Sequence, residues 1–304
     1  MDRDPLIADA VRGDLHSIGR LITKVEEGED GDIFKFIAKH SGKAHIVGFT
    51  GAPGVGKSSL ISAVAALLSK KRKRVGIVAI DPSSPISGGA FLGDRIRMVD
   101  IALDKNVFIR SMGSRGALGG LARSAGEVAL LMDALGFDCV LIETVGAGQS
   151  DIEVMKWVHS VVVMVAPGGG DDIQFAKAGI MEIGDAFVVN KSDVPGADTT
   201  HRYLLMELED RIEKIPVIKT STTKDSLGIA ELVETLNDRY ARLKRDRELE
   251  ILKYRILSNK TRLEILQRVE AQVDSWLVKS GKSLLSAGLS PDECADKWEK
   301  ENEY

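Results

Sequence analysis

Gly51, Gly56, Lys57 and Ser58 carry the spacing G-x-x-x-x-G-K-[ST] within the run Gly51-Ala52-Pro53-Gly54-Val55-Gly56-Lys57-Ser58-Ser59. That spacing builds a loop that curls around an anion with its backbone N–H groups turned inward. The Lys57 ammonium suits the β- and γ-phosphates of a nucleoside triphosphate. The Ser58 hydroxyl suits a Mg2+ ligand. The flanking residues agree: 45–50 reads as a short buried strand and 59–68 as a helix. A strand feeding a glycine loop that opens a helix brings the helix N-terminus to the phosphates. The expected chemistry is binding and hydrolysis of a nucleoside triphosphate.

Further candidates stand after later apolar runs. Asn190-Lys191-Ser192-Asp193 follows the run 186–189. The Asp193 carboxylate can accept from the guanine N1–H and the exocyclic amine, a donor pair that adenine lacks. A site built on such a pair rejects the analogue by roughly 10⁴ or more. Asn190 and Lys191 would brace this loop and flank the base, so GTP is expected over ATP. Ser221, Thr222 and Thr223 follow the run 216–219 and suit backbone contacts to the guanine O6. Glu143 ends the run 139–142 and reads as the second Mg2+ anchor. Gly146 can offer its amide to the γ-phosphate, where only glycine lets the backbone approach so closely. Gln149 either orients the attacking water or is a plain loop residue. Asp81 follows the run 75–80, at the sheet edge where ligands bind. Asp94 reads either as a helix N-cap or as a hard oxygen ligand for Mg2+. Arg95, Arg97, Arg115 and Arg123 are all candidates for an arginine acting on the γ-phosphate, and the sequence does not choose among them. The glycine loop 168–170 either reports the γ-phosphate or is an ordinary turn.

The elements that must position these residues follow from the apolar pattern. The 304 residues are 44% hydrophobic and 28% charged, which suits one large α/β domain with helical additions. A net charge of -4 gives no global basic field for nucleic acid or anionic membrane. Two cysteines cannot build a disulfide framework or a Cys-rich metal site. No apolar run reaches spanning length and no signal core opens the chain, so the cytoplasm is the expectation. Residues 1–42 carry helical stripes. From 44 to about 230, short β-branched runs alternate with helical segments such as 118–135 and 171–181. This predicts a doubly wound, mostly parallel sheet. The basic run 70–74 reads as a solvated helix C-terminus. Beyond about 230 the strands stop, and Leu232, Leu236, Tyr240, Leu243, Leu249, Leu252 and Ile256 mark a long helix. Its stripe packs either on its own domain or on a second copy. The expected division is 1–42 helical extension, 43–230 nucleotide domain and 231–304 helical arm.

With these residues in view, positions 1–260 resemble the MeaB/ArgK family of P-loop GTPases, the GTPases associated with methylmalonyl-CoA mutase. The resemblance rests on GAPGVGKSS (51–59), DPSSPISGGAFLGDRIRM (81–98), ETVGAGQSD (143–151), APGGGDDIQ (166–174) and NKSD (190–193). The second of these is long and highly specific. The resemblance implies Mg2+ near Ser58, Asp81, Asp94 and Glu143, and guanine read by Asp193 with Ser221 to Thr223 closing the base pocket. It also implies a homodimer joined through C-terminal helices. The implied partner is an adenosylcobalamin-dependent acyl-CoA mutase, with the GTP/GDP cycle gating cofactor loading and protecting the mutase. Two departures stand out: Ser-Thr-Thr at 221–223 where the family often has Ser-Ala, and Phe175-Ala176 where relatives often carry smaller or basic residues. With no positioned arginine evident, basal turnover is expected to be slow, since such a group contributes roughly 10³–10⁵ in rate.

Three rival readings predict different things. A nickel-insertion GTPase needs His or Cys clusters, whereas His16, His40, His45, His159 and His201 are scattered. A kinase linked to amino-acid transport needs an acceptor site, and none stands out. A scaffold with hydrolysis as a timer would place its function in the C-terminal arm.

Overall fold

The computed structural model describes residues 4–28, 31–81, 98–113, 118–146, 149–168, 181–211, 214–223, 226–286 and 288–302. Asp94, Arg95, Arg97, Arg115, the segment 169–180 and all of the run 81–98 except its two end residues lie outside them, as does side-chain detail for Asp81 and Gln149.

Two compact units divide the chain, Met1–Tyr254 and Arg255–Tyr304. The first is built on a seven-stranded sheet in the order β3-β2-β4-β1-β5-β6-β7. Its strands are β1 (His45–Gly51), β2 (Val75–Asp81), β3 (Val107–Gly113), β4 (Cys139–Glu143), β5 (Ser160–Val165), β6 (Ala186–Val189) and β7 (Val217–Lys219). Every pairing is parallel. All carboxyl ends therefore lie on one edge. β1 sits between β4 and β5, with Phe49 level with Glu143 and Gly51 level with Met164. The central strands β1, β4 and β5 are buried along their whole length. Helices cover both faces, which explains runs without strict alternation. β3 continues to Gly113, past the polar Arg110-Ser111 that interrupts its apolar run. It is an edge strand with partly exposed side chains, so polar residues are tolerated there.

Three helices precede the sheet: α1 (Pro5–Val11), α2 (Leu15–Glu27) and α3 (Gly31–His40). Asp4 and Asp14 cap the first two, accepting from Leu6 N and Ser17 N at 2.8 Å each. α2 buries Ile18, Leu21, Ile22 and Val25. α2 and α3 pack on α5 (Leu118–Ala134), and α4 (Lys57–Lys70) packs on the other side of the strands. Asp133 of α5 fixes the entry to β1, accepting from Gly42, Lys43 and Ala44 N–H. At the end of α4, Lys70, Lys71 and Arg72 of the basic run are exposed to solvent, and the last two residues make side-chain contacts. Lys73 pairs with Asp138 at 2.9 Å, and the Arg74 guanidinium lies 4.6 Å from the Phe137 ring centre.

The helical stretch after 228 is broken. α6 (Gln149–Met155) and α7 (Ala197–Glu207) flank the sheet, then α8 (Ile229–Arg245) stops and α9 (Glu248–Trp276) begins. Arg247 adopts a left-handed φ of 61° at the break. α8 packs on α4, and its Leu232, Val233 and Leu236 join the core cluster of Leu60, Ile61 and Val64. Of the two fates open to this stripe, the α8 part takes the first: it is buried on its own domain.

The second unit holds the rest of α9, a π-helical turn at Leu277–Gly281, a short helix at Lys282–Ser286 and α10 (Pro291–Asn302). A reciprocal cap opens α10: Glu293 N donates to Ser290 Oγ at 3.2 Å and Ser290 N to Glu293 Oε2 at 2.8 Å. Trp276 Nε1 donates to Glu301 at 2.6 Å. Among the described residues, no helix is long and apolar enough to cross a membrane.

Candidate nucleotide site

The loop between β1 and α4 is shaped by two contacts that only glycine permits. Gly56 has φ 94°, and a Cβ there would lie 2.5 Å from Asn190 Nδ2. Gly146, in the loop after β4, has φ 91°, and a Cβ there would lie 2.5 Å from Gly51 O and 2.9 Å from Lys57 Nζ. The loop after β4 therefore meets the phosphate loop backbone to backbone, and the loop after β6 meets it through the Asn190 side chain.

Lys57 is buried at the first turn of α4. Its ammonium donates to Gly51 O at 2.8 Å and Ala52 O at 3.2 Å, and reaches Val145 O at 3.5 Å. These carbonyls hold the cation inside the loop, so its position is set before any phosphate arrives. Ser58 follows, and its hydroxyl donates to Glu143 Oε1 at 2.6 Å, both groups being buried. The register makes this meeting inevitable. β1 and β4 are neighbours, and Glu143 ends β4 beside the loop that leaves β1. A hydroxyl and a carboxylate at contact are hard oxygen donors, a set that fits Mg2+. Asp81 ends β2, level with Gly113 of β3. It thus lies on the same carboxyl edge, one strand beyond Glu143.

One buried residue that the pattern of motifs had passed over organises the floor of this site. Asp151, in the first turn of α6, accepts from Thr50 Oγ1 at 2.8 Å and Thr144 Oγ1 at 2.7 Å, and from the Gly146 amide at 3.1 Å. It ties the ends of β1 and β4 to the glycine expected to meet the γ-phosphate. The available signal was the pair Thr50 and Thr144, one the penultimate residue of β1 and the other just past β4, each a buried hydroxyl that must find a partner. Gln149 opens the same helix. Arg123 of α5 lies 3.7 Å from Glu127 of its own helix.

The base-side residues converge as well. Asn190 Nδ2 donates to Val55 O at 2.7 Å, and its Oδ1 accepts from Thr220 Oγ1 at 3.0 Å. Lys191 takes a left-handed φ of 54° and its ammonium donates to Gly54 O at 2.7 Å. The loop after β6 is thus pinned to the phosphate loop from one side and to β7 from the other. Ser192 N donates to Thr220 O at 3.0 Å, closing the second link. Asp193 is held by hydroxyls: Ser221 Oγ donates to Oδ1 at 2.6 Å and Thr223 Oγ1 to Oδ2 at 3.3 Å. Ser221 N–H is spent on Leu227 O at 3.1 Å, so this residue serves through its hydroxyl rather than its amide. Thr222 stands between them, partly exposed. Among the described residues, no three His, Cys, Asp or Glu side chains cluster as a metal cage.

Comparison with known proteins agrees with this geometry. The family model of methylmalonyl-CoA mutase-associated GTPase MeaB matches residues 18–275. A putative GTPase of Pyrococcus horikoshii is 44% identical over 244 residues, covering 77% of each chain. GTPase ArgK of Escherichia coli is 38% identical over 203 residues, 64% of this chain and 61% of that one. The mouse methylmalonic aciduria type A homolog, a mitochondrial protein, is 37% identical over 200 residues, 63% of this chain and 48% of that one. Among solved structures, an LAO/AO transport system kinase shares the fold across 100% of both chains, with a TM-score of 0.68 at 23% identity. The hydrogenase maturation factor HypB of Archaeoglobus fulgidus matches at a TM-score of 0.50 and 19% identity, over 74% of this chain and 99% of that one. A seven-stranded parallel sheet, a lysine-bearing phosphate loop and GTPase relatives across most of the sequence give one conclusion: the chain is a GTP hydrolase and belongs to the family of methylmalonyl-CoA mutase-associated GTPases, MeaB.

Proposed function

We propose that this chain binds Mg2+-GTP in the loops around Lys57 and Asp193, and that its nucleotide cycle serves an adenosylcobalamin-dependent acyl-CoA mutase by gating cofactor loading and protecting the enzyme. The observation that carries the nucleotide assignment is the Asp193 carboxylate, held by two hydroxyls on a loop pinned to the phosphate loop through Lys191 and Asn190. Both carboxylate oxygens accept from hydroxyls, which fixes the plane that a guanine N1–H and amine must meet. Ser58 and Glu143, with Asp81 and Asp94, are the proposed Mg2+ ligands. Bound there, the ion would offset charge developing on the β- and γ-phosphate oxygens. Lys57 binds and orients those phosphates, Gly146 offers its amide, and Gln149 orients water. The mutase assignment is supported by the family description and by the mouse relative's name. A homodimer joined through the second unit is supported by apolar side chains left in solvent there, Ile265, Leu266 and Val278.

Asp193→Asn should move preference from guanine toward xanthine nucleotides, read as competition between GTP and XTP; unchanged GTP preference would place the base elsewhere. Pull-down of the cognate mutase with GTP and with GDP tests the partner. A nucleotide-dependent complex and a changed hydrolysis rate are expected. Absence of both rejects the mutase and leaves the GTPase standing. Labelled GTP should release free phosphate, and transfer to a protein instead would favour the kinase reading.

A further inference from the structure

A second cavity lies at the opposite edge of the sheet from the nucleotide loops. His45 and Cys139, the first residues of β1 and β4, form part of its floor. β1 is seven residues long, so the two edges stand about 20 Å apart. The cavity holds about 320 Å³. That falls at the lower end of the roughly 300–1,000 Å³ typical of small-molecule sites.

Its walls mix polar and apolar side chains, and the large apolar ones come from three places. Leu68 stands near the end of α4, Phe137 lies before β4, and Val233 and Leu236 come from α8. Tyr240 stacks on the His45 ring at 5.4 Å, making one flat aromatic side. Cys139 offers no nucleophile, because burial pushes its thiol up to about 12.

Two lysines, Lys43 and Lys73, and two aspartates, Asp133 and Asp138, line the cavity, and they differ in what they are bound to. Asp133 is satisfied by the N–H groups of Gly42, Lys43 and Ala44. Asp138 is satisfied by the Lys73 ammonium and by Arg74 N–H, at 2.9 Å each. Of the two lining lysines, Lys73 pairs with Asp138, whereas no ion pair joins Lys43 to a carboxylate of the described residues. Its backbone is nonetheless fixed on both sides: the N–H is held by Asp133, and the carbonyl accepts from Tyr240 Oη at 2.6 Å. An exposed lysine on a fixed backbone thus lines a cavity whose acids already accept hydrogen bonds.

We infer that this cavity is a second ligand site, for a small amphipathic anion: an apolar or aromatic body carrying one carboxylate, sulfonate or phosphate that meets Lys43. The body fills the space between Leu68, Phe137 and Leu236. A cationic ligand would find both acids engaged, and a neutral one would leave Lys43 unused. The site is independent of the nucleotide assignment, since it shares no residue with the loops around Lys57 and Asp193.

The probe is 1-anilinonaphthalene-8-sulfonate, an aromatic sulfonate, titrated by fluorescence into the full chain with saturating Mg2+-GDP. One site per chain is expected, retained in GDP and weakened about tenfold by Lys43→Glu. Leu236→Trp, which fills the cavity, should abolish it. Lys43 is exposed, so its variant keeps the fold and stays readable even where Leu236→Trp lowers stability. Val233→Ala, which enlarges the cavity, should keep the site. Binding that GDP displaces, or that Lys43→Glu leaves unchanged, overturns the proposal.

Discussion

Asp151 stands at the junction of three loops, and its effect is best seen by removing only its charge. It is 1% exposed and accepts from two hydroxyls and one amide. Asp151→Asn keeps the shape but turns an NH2 donor toward groups that already donate. Leaving such a donor unsatisfied costs about 1–3 kcal/mol, read as a lower urea midpoint. Hydrolysis should fall further than GDP affinity, because Gly146 loses its anchor while the base contacts stay. His45 gives a second prediction. Burial, reinforced by His159 and Arg239, lowers its pKa from 6.5 to about 3. Below pH 6.5 the unfolded chain takes up a proton that the folded chain refuses. Stability contributed above pH 6.5 is therefore lost progressively as pH falls toward 3. By pH 5 the loss is about 2 kcal/mol, at roughly 1.4 kcal/mol per pH unit. Urea unfolding at pH 7.5 and 5 checks this, and His45→Gln should flatten the dependence by that amount. At this scale the sequence was legible wherever a motif has fixed spacing: Lys57, Ser58, Asn190 and Asp193 all stand within the site. Asp151 stands in the run 143–151 with its partners Thr144 and Gly146, but its role was hidden because the third partner, Thr50, comes from a strand end a hundred residues away.

The elements were legible where hydrophobic runs are short and mostly β-branched. β1, β4, β5 and β6 fall where the apolar runs placed them, because central parallel strands must be apolar on both faces. β3 ran longer than its apolar signal, since an edge strand tolerates Arg110, which binds Glu26 and Thr23 of α2. The C-terminal helical signal was read as continuous. Periodicity does not register a break such as Arg247, where one left-handed residue ends the phase without a glycine or proline to announce it. The break also separates roles. Leu232 of α8 is fully buried in the core formed with α4. Leu232→Ala should therefore cost about 2–5 kcal/mol in chemical unfolding. A cost near zero would mean that α8 stands free of the domain.

For the molecule as a whole, the boundary at Tyr254 decides where the chain can be cut. A stop codon after residue 254 retains α8 and the helix start through Tyr254, whereas a stop near 235 would remove half of a core helix. The shorter protein is expected to hydrolyse GTP at the rate of the full chain. Its mass by light scattering should fall to that of one copy if the second unit joins two chains. Fold class was fully legible, since alternation of apolar runs and helical segments leaves a doubly wound parallel sheet as the consistent arrangement. The second cavity was not, because Lys43, Phe137 and Leu236 meet only once the sheet has brought β1 and β4 side by side.

The position of β1 also bears on how the protein is made. Gly51, where the phosphate loop begins, pairs with Met164 of β5. A ribosome adding about 5–20 residues per second needs on the order of ten seconds to span that interval, and the exit tunnel adds to the delay. For that time an apolar segment with a glycine-rich tail waits without its full pair of flanking strands, β4 being made shortly before β5. Nascent chains stalled before β5 should bind chaperones and fail to retain nucleotide, and those stalled after α8 should release the first and hold the second.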